Sequence, residues 1–97
     1  MPKEFETKRV LVTGAASGIG QAQAIAFSEQ GAEVIGIDLD ETGLKQTAAL
    51  VNLDSAKSFT YFVGDVSSPS FVQATMKQIV KDNGQIDILL NTAGILD

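Results

Sequence analysis

Three glycines, two strand-end acids and one Asn-Thr-Ala-Gly run are the residues whose types and spacing bear on chemistry. The stretch Thr13-Gly14-Ala15-Ala16-Ser17-Gly18-Ile19-Gly20 follows the apolar run Val10-Leu11-Val12 and precedes an alanine-rich segment. That is the order of strand, tight turn and helix start. Gly14 lets the chain leave a strand through a backbone conformation that a Cβ hinders. Gly18 leaves no side chain where an anion would touch the backbone, and Gly20 lets the new helix lie close to the strand it came from. The free N–H groups of the helix's first turn, with the positive end of its dipole, then face that anion.

A glycine-rich turn also connects strand to helix in proteins that bind nothing there, so its chemistry has to come from its surroundings. The apolar run Glu33-Val34-Ile35-Gly36-Ile37 ends in Asp38, 18 residues beyond Gly20. That is close to the spacing of roughly 20 at which an acid meets the ribose of a dinucleotide. The competing role for Asp38 is to cap the next helix, for which Asp40 is a rival. The turn is not a P-loop, because Gln21 follows Gly20 where a Lys-Ser/Thr pair would be needed.

The octapeptide Thr13–Gly20 resembles the TGxxxGxG cofactor loop of the short-chain dehydrogenases/reductases. Asp38, the pair Asp65-Val66, and Asn91-Thr92-Ala93-Gly94, similar to that family's N-N-A-G, follow in the family's order. The resemblance implies a dinucleotide site formed by Gly14, Ser17, Gly18, Ile19, Gly20, Asp38, Leu39, Asp65, Val66, Asn91, Ala93 and Gly94. In that family the acid matching Asp38 binds the adenosine ribose hydroxyls. Asp65 and the backbone of Val66 lie beside the adenine, and the Ala-Gly backbone approaches the cofactor ribose. The first Asn braces the sheet. Thr92 departs from the family's second Asn, and Thr13 reads as a brace for the loop. Overall likeness points toward the 3-oxoacyl-acyl-carrier-protein reductase branch. That branch commonly takes NADP, whereas an NADP phosphate needs a nearby cation. Leu39 and Ser17 stand where the cation would be, so the sequence predicts NAD over NADP.

The family's proton-transfer group is a Tyr and a Lys four residues apart, working with a Ser and a further Asn. Here the one tyrosine, Tyr61, is followed four residues later by Asp65, and there is no histidine to act instead. No catalytic residue is therefore expected in these 97 residues, which match the N-terminal, cofactor-binding part of a longer family fold. The alternative is a non-catalytic module that binds a nucleotide or pairs through its last strand. A nucleotide-sugar epimerase would carry G-x-x-G-x-x-G, and a methyltransferase has no use for the Asn91–Gly94 run.

Bulk properties agree with one α/β domain over 1–97. With 44% hydrophobic and 20% charged residues, the chain has an ordinary globular composition. A net charge of −5 argues against a nucleic-acid or anionic-membrane partner. The absence of cysteine removes disulfide, thiol and cysteine-zinc chemistry. The charged start Met1–Glu6 does not read as a signal peptide, and the default location is the cytoplasm.

Strands are expected over 8–12, 33–38, 58–63 and 87–91, and helices over 18–30, 40–52 and 68–83. Asp40 and Ser68 read as N-caps, Pro69 as a first helical residue, Gly31 and Gly84 as stops, and Gly43 as a weak point. Leu44, Ala48 and Val51 mark one buried stripe; Val72, Met76, Ile79 and Val80 mark another. Tyr61 reads as core or sheet surface, and Phe5 as packing against the domain. Alternation of strands and helices predicts a partial doubly wound, Rossmann-type parallel sheet in the order 3-2-1-4, with helices on both faces. The fourth strand would then be an open edge carrying Ile88, Leu89 and Leu90, which predicts a homo-oligomer or an aggregation-prone chain.

Overall fold

The structure is a computed structural model and describes residues 7–51 and 59–93. The elements run β1 (Arg9–Thr13), α1 (Gly18–Glu29), β2 (Glu33–Asp38), α2 (Glu41–Val51), β3 (Thr60–Val63), α3 (Pro69–Asn83) and β4 (Ile88–Asn91). All strand pairs are parallel, in the order β3-β2-β1-β4. The register aligns Thr13 with Ile37 and with Asn91, and Asp38 with Val63. The C-terminal ends of all four strands therefore form one edge, where doubly wound sheets hold their ligands.

The non-alternating runs in β1 and β2 are buried on both faces, as a central parallel strand requires. On one face Val10, Val12 and Val34 pack with Ala24 of α1 and with Leu44 and Val51 of α2. On the other, Leu11, Ile35 and Ile37 pack with Ile79 of α3. The local signals explain where helices start and stop. Gly43 N–H donates to Asp40 Oδ1 (3.1 Å), and Phe71 N–H donates to the Ser68 hydroxyl (3.4 Å) just ahead of Pro69. α1 closes with Gly31 N–H to the Ser28 carbonyl (2.9 Å) and Ala32 N–H to the Phe27 carbonyl (3.1 Å). These are the paired bonds of a glycine-terminated helix.

Several expectations need correction. β1 and β4 each begin one residue later than expected, and β3 begins at Thr60. Phe59 precedes it, its ring sunk into the α1–α2 core and 6.2 Å from that of Tyr61. Val80 is 54% exposed, and the buried positions of α3 are Thr75 and Ile79, with Val72 and Met76 half-buried. A strip at i, i+3, i+4 and i+7 runs through 72, 75, 76 and 79, which turns Val80 outward. Gly43 is a close approach, since a Cβ there would stand 2.7 Å from the Ala16 carbonyl oxygen. Phe5, Ser58, Asn52 and Gly94 lie outside the described residues.

Candidate functional site

A cleft of about 560 Å³ opens along the C-terminal edge of the sheet. Gly14, Ser17, Ile19, Gly20, Asp38, Leu39, Asp65, Val66, Asn91 and Ala93 all line it. Gly18 stands outside the lining. Its φ of +56° favours glycine, and nothing lies within 4 Å of where its Cβ would be. Gly14 turns the chain at φ +72°, and a Cβ on Gly20 would fall 1.8 Å from the Gly14 carbonyl oxygen. The loop is thus folded directly onto the start of α1. Ser17, the N-cap residue, is extended and makes no side-chain cap bond, and no acid occupies the first turn. The helix therefore presents its N–H groups and dipole without a competing side chain.

The loop is held from beneath. Gly14 N–H donates to the Ile37 carbonyl (2.8 Å), and Ala16 N–H donates to Asp38 Oδ2 (3.0 Å). Asp38 Oδ1 also accepts from Asp40 N–H (3.0 Å). The Asp38 carboxylate therefore latches the glycine loop to the turn before α2, while Asp40 does the capping. A carboxylate offers about four acceptor positions, so Asp38 keeps capacity for an incoming hydroxyl.

Asp65 is exposed at the rim, where its Oδ1 accepts from the Ser67 hydroxyl (2.6 Å) and from Ser67 N–H (2.8 Å). The Ser67 hydroxyl, then its backbone N–H, hold the Asp65 carboxyl below its ordinary value. At the other end of the edge the Thr13 hydroxyl donates to Asn91 Oδ1 (2.9 Å) and accepts from Ala93 N–H (3.2 Å). Thr13 is a brace, but for the end of β4 and the turn after it, not for the glycine loop as the sequence suggested. Thr92 is buried and its hydroxyl donates to Gln23 Oε1 on α1.

Sequence reasoning missed Thr47, Gln21 and Gln23. The fully buried Thr47 hydroxyl reaches the Ala15 carbonyl (2.7 Å) and accepts from Gln21 Nε2 (2.9 Å), so α2 and α1 both grip the loop. A polar residue on the stripe between Leu44 and Val51 was the available signal, because a buried hydroxyl needs a partner. Among the described residues, no group of three or more His, Cys, Asp or Glu is placed to hold a metal ion. No described helix is long and apolar enough to cross a membrane.

The sequence profile of the short chain dehydrogenases matches residues 8–97. The chain belongs to this family. It is 41% identical over 91 residues to D-threitol dehydrogenase of Mycolicibacterium smegmatis, which covers 94% of this chain and 35% of that protein. Among solved structures, L-sorbose reductase from Gluconobacter frateurii, complexed with NADPH and L-sorbose, superposes with a TM-score of 0.87 at 29% identity. The match spans 97% of this chain and 36% of the reductase. A Shigella flexneri protein complexed with NADP gives a TM-score of 0.89 at 28% identity, over 97% of this chain and 40% of that one. The chain therefore spans between 35% and 40% of the length of these three relatives.

Proposed function

We propose that this chain is the NAD(H)-binding part of an oxidoreductase that moves hydride between a nicotinamide and a carbonyl or alcohol. The observation that carries this reading is one cleft bringing together an uncapped helix N-terminus, Asp38, Asp65 and the turn after β4. The bound nicotinamide would supply the carbon that gives or takes the hydride. The chain's own residues bind and orient. The first turn of α1 takes the pyrophosphate, Asp38 accepts from the adenosine ribose, and Asp65 with Val66 flanks the adenine. Asn91 and Ala93 line the end of the cleft that would meet the second ribose, and Gly94, which follows them in sequence, is proposed to join them. With no Tyr-x-x-x-Lys in its 97 residues, the chain alone binds without turning over.

NAD is the proposed cofactor even though two of the solved relatives carry NADP or NADPH. The cleft lining contains two acids, Asp38 and Asp65, and no Lys or Arg among the described residues. A ribose phosphate would meet a carboxylate with no cation to offset it. Charge-assisted hydrogen bonds from ribose hydroxyls contribute roughly 1.5–3 kcal/mol each. Calorimetric titration should give NADH at least about tenfold tighter than NADPH, since tenfold is about 1.4 kcal/mol. Asp38→Asn removes the charge and retains one carbonyl acceptor for the loop, and it should narrow the ratio. Tighter NADPH binding by the unmodified chain would remove Asp38 from the ribose site.

A second reading, a module that associates through β4, is favoured by one observation. β4 pairs only with β1 among the described residues, and Leu89 on it is 60% exposed.

A further inference from the structure

We propose that Gln23 and Thr92 form a positioning pair that locks the turn after β4 to α1 and so sets how the second half of a dinucleotide is held. This rests on the dinucleotide reading above. Thr92 stands where the family motif has Asn, and it is only 5% exposed. Its hydroxyl donates to Gln23 Oε1, on a half-buried position of α1. The turn has other ties, but they run to the end of β1. Ala93 N–H donates to Thr13 Oγ1 (3.2 Å), and a Cβ on Gly14 would meet Ala93 N at 3.0 Å. The Gln23 bond is the tie to the helix whose N-terminus faces the cleft.

Strand order decides which half of a ligand feels this tie. Asp38 ends β2 and Asp65 follows β3, both on one side of β1, whereas Thr92 and Ala93 follow β4 on its other side. The adenosine half would therefore rest on the glycine loop, Asp38 and Asp65. The second ribose would rest on the turn that Gln23 and Thr92 fix. Losing the hydroxyl leaves the Gln23 carbonyl without its donor and frees the turn, without touching the β2–β3 side.

The test titrates NADH and ADP, which lacks the second ribose and the nicotinamide, into the 97-residue chain and its variants, with a thermal melt of each. Thr92→Val should weaken NADH about tenfold and ADP less than twofold. Thr92→Ser, which keeps the hydroxyl, should restore NADH binding. The double variant Gln23→Leu with Thr92→Val removes both partners, a change that is often near neutral for stability. It should recover the melting temperature while NADH remains weak. Equal weakening of NADH and ADP, recovery of NADH in the double variant, or unchanged NADH binding in Thr92→Val would each overturn the pair's positioning role. If the unmodified chain binds neither ligand, the dinucleotide reading itself fails and takes this inference with it; that result is separable because it precedes any substitution.

Discussion

On the face of the sheet covered by α1 and α2, Val10, Val12, Val34 and Leu44 are at most 1% exposed. On the face covered by α3, Leu11 and Ile79 are as deeply buried, yet Leu89 is 60% exposed beside them. Leu11, Met76, Ile86 and Leu89 there border an apolar cleft of about 300 Å³. β4 shows the contrast within four residues. Ile88 and Leu90 turn into the α1–α2 core, and Leu89 turns the other way. The densely packed face is the one that carries the glycine loop, with Ala15 and Ala16 at 0% and 3% exposure. The difference teaches where positional accuracy comes from: the loop's backbone is set by the packing and the Thr47 and Asp38 bonds beneath it. The α3 face contributes a support for the sheet and little to the cleft's glycine-loop side.

The sharpest way to break this comparison is to delete equivalent volume on each face. Leu44→Ala removes a fully buried side chain under the loop and should cost about 2–5 kcal/mol. Met76→Ala, at a half-buried position bordering the open cleft, should cost about 1 kcal/mol or less, because little new cavity is enclosed. Urea denaturation of both variants checks the pair. Equal losses would mean that the two faces are finished to the same degree.

Much of this was legible in the sequence, because the signals were local. Asp40 and Ser68 announced their helices, Gly31 its stop, and the alternation of apolar runs with helix-length gaps the parallel sheet. Ten of the twelve residues read as a binding site line one cleft, with Gly18 outside its lining and Gly94 outside the described residues. What stayed hidden were partners distant in sequence. Both helix stripes pass through a threonine, Thr47 in α2 and Thr75 in α3, so an apolar-only reading skips a buried position and, in α3, takes exposed Val80 in its place. Gln21 and Gln23 look like solvent-facing residues until Thr47 and Thr92 are found opposite them. The second backbone contact of Asp38, to Ala16, is 22 residues away and no spacing rule announces it.

A smaller effect is expected at the open edge. Leu89→Lys places a charge on the exposed apolar site of β4, a device that discourages strand pairing between chains. Sedimentation velocity should show less self-association than the unmodified chain. Stability should move by no more than about 0.5 kcal/mol, as for most surface changes. An unmodified chain that is already a monodisperse monomer would remove the open edge as an association site.

The smallest effect tests whether the rim of the cleft shares the rigidity of its floor. Asp65 is fully exposed, and its carboxylate is held by the local turn through the Ser67 hydroxyl and N–H. Both bonds favour the charged form, so the folded carboxyl titrates lower than the unfolded one. The sign follows from proton binding. As pH falls, the unfolded chain takes up this proton first, so the turn's stabilisation is present above the unfolded value. It is lost as pH falls through the folded value. Ser67→Ala deletes the larger of the two causes and leaves the backbone N–H, so Asp65 should rise toward its ordinary value without reaching it. Carboxyl carbon NMR titration reads this directly. At neutral pH both states are ionised, and solvent screening keeps the contribution small, so the melt should shift far less than in Leu44→Ala. A loss at neutral pH comparable to that of Leu44→Ala would show that the Asp65 turn is coupled to the packed core. The contrast between a floor fixed by packing and a rim fixed by local hydrogen bonds would then be gone.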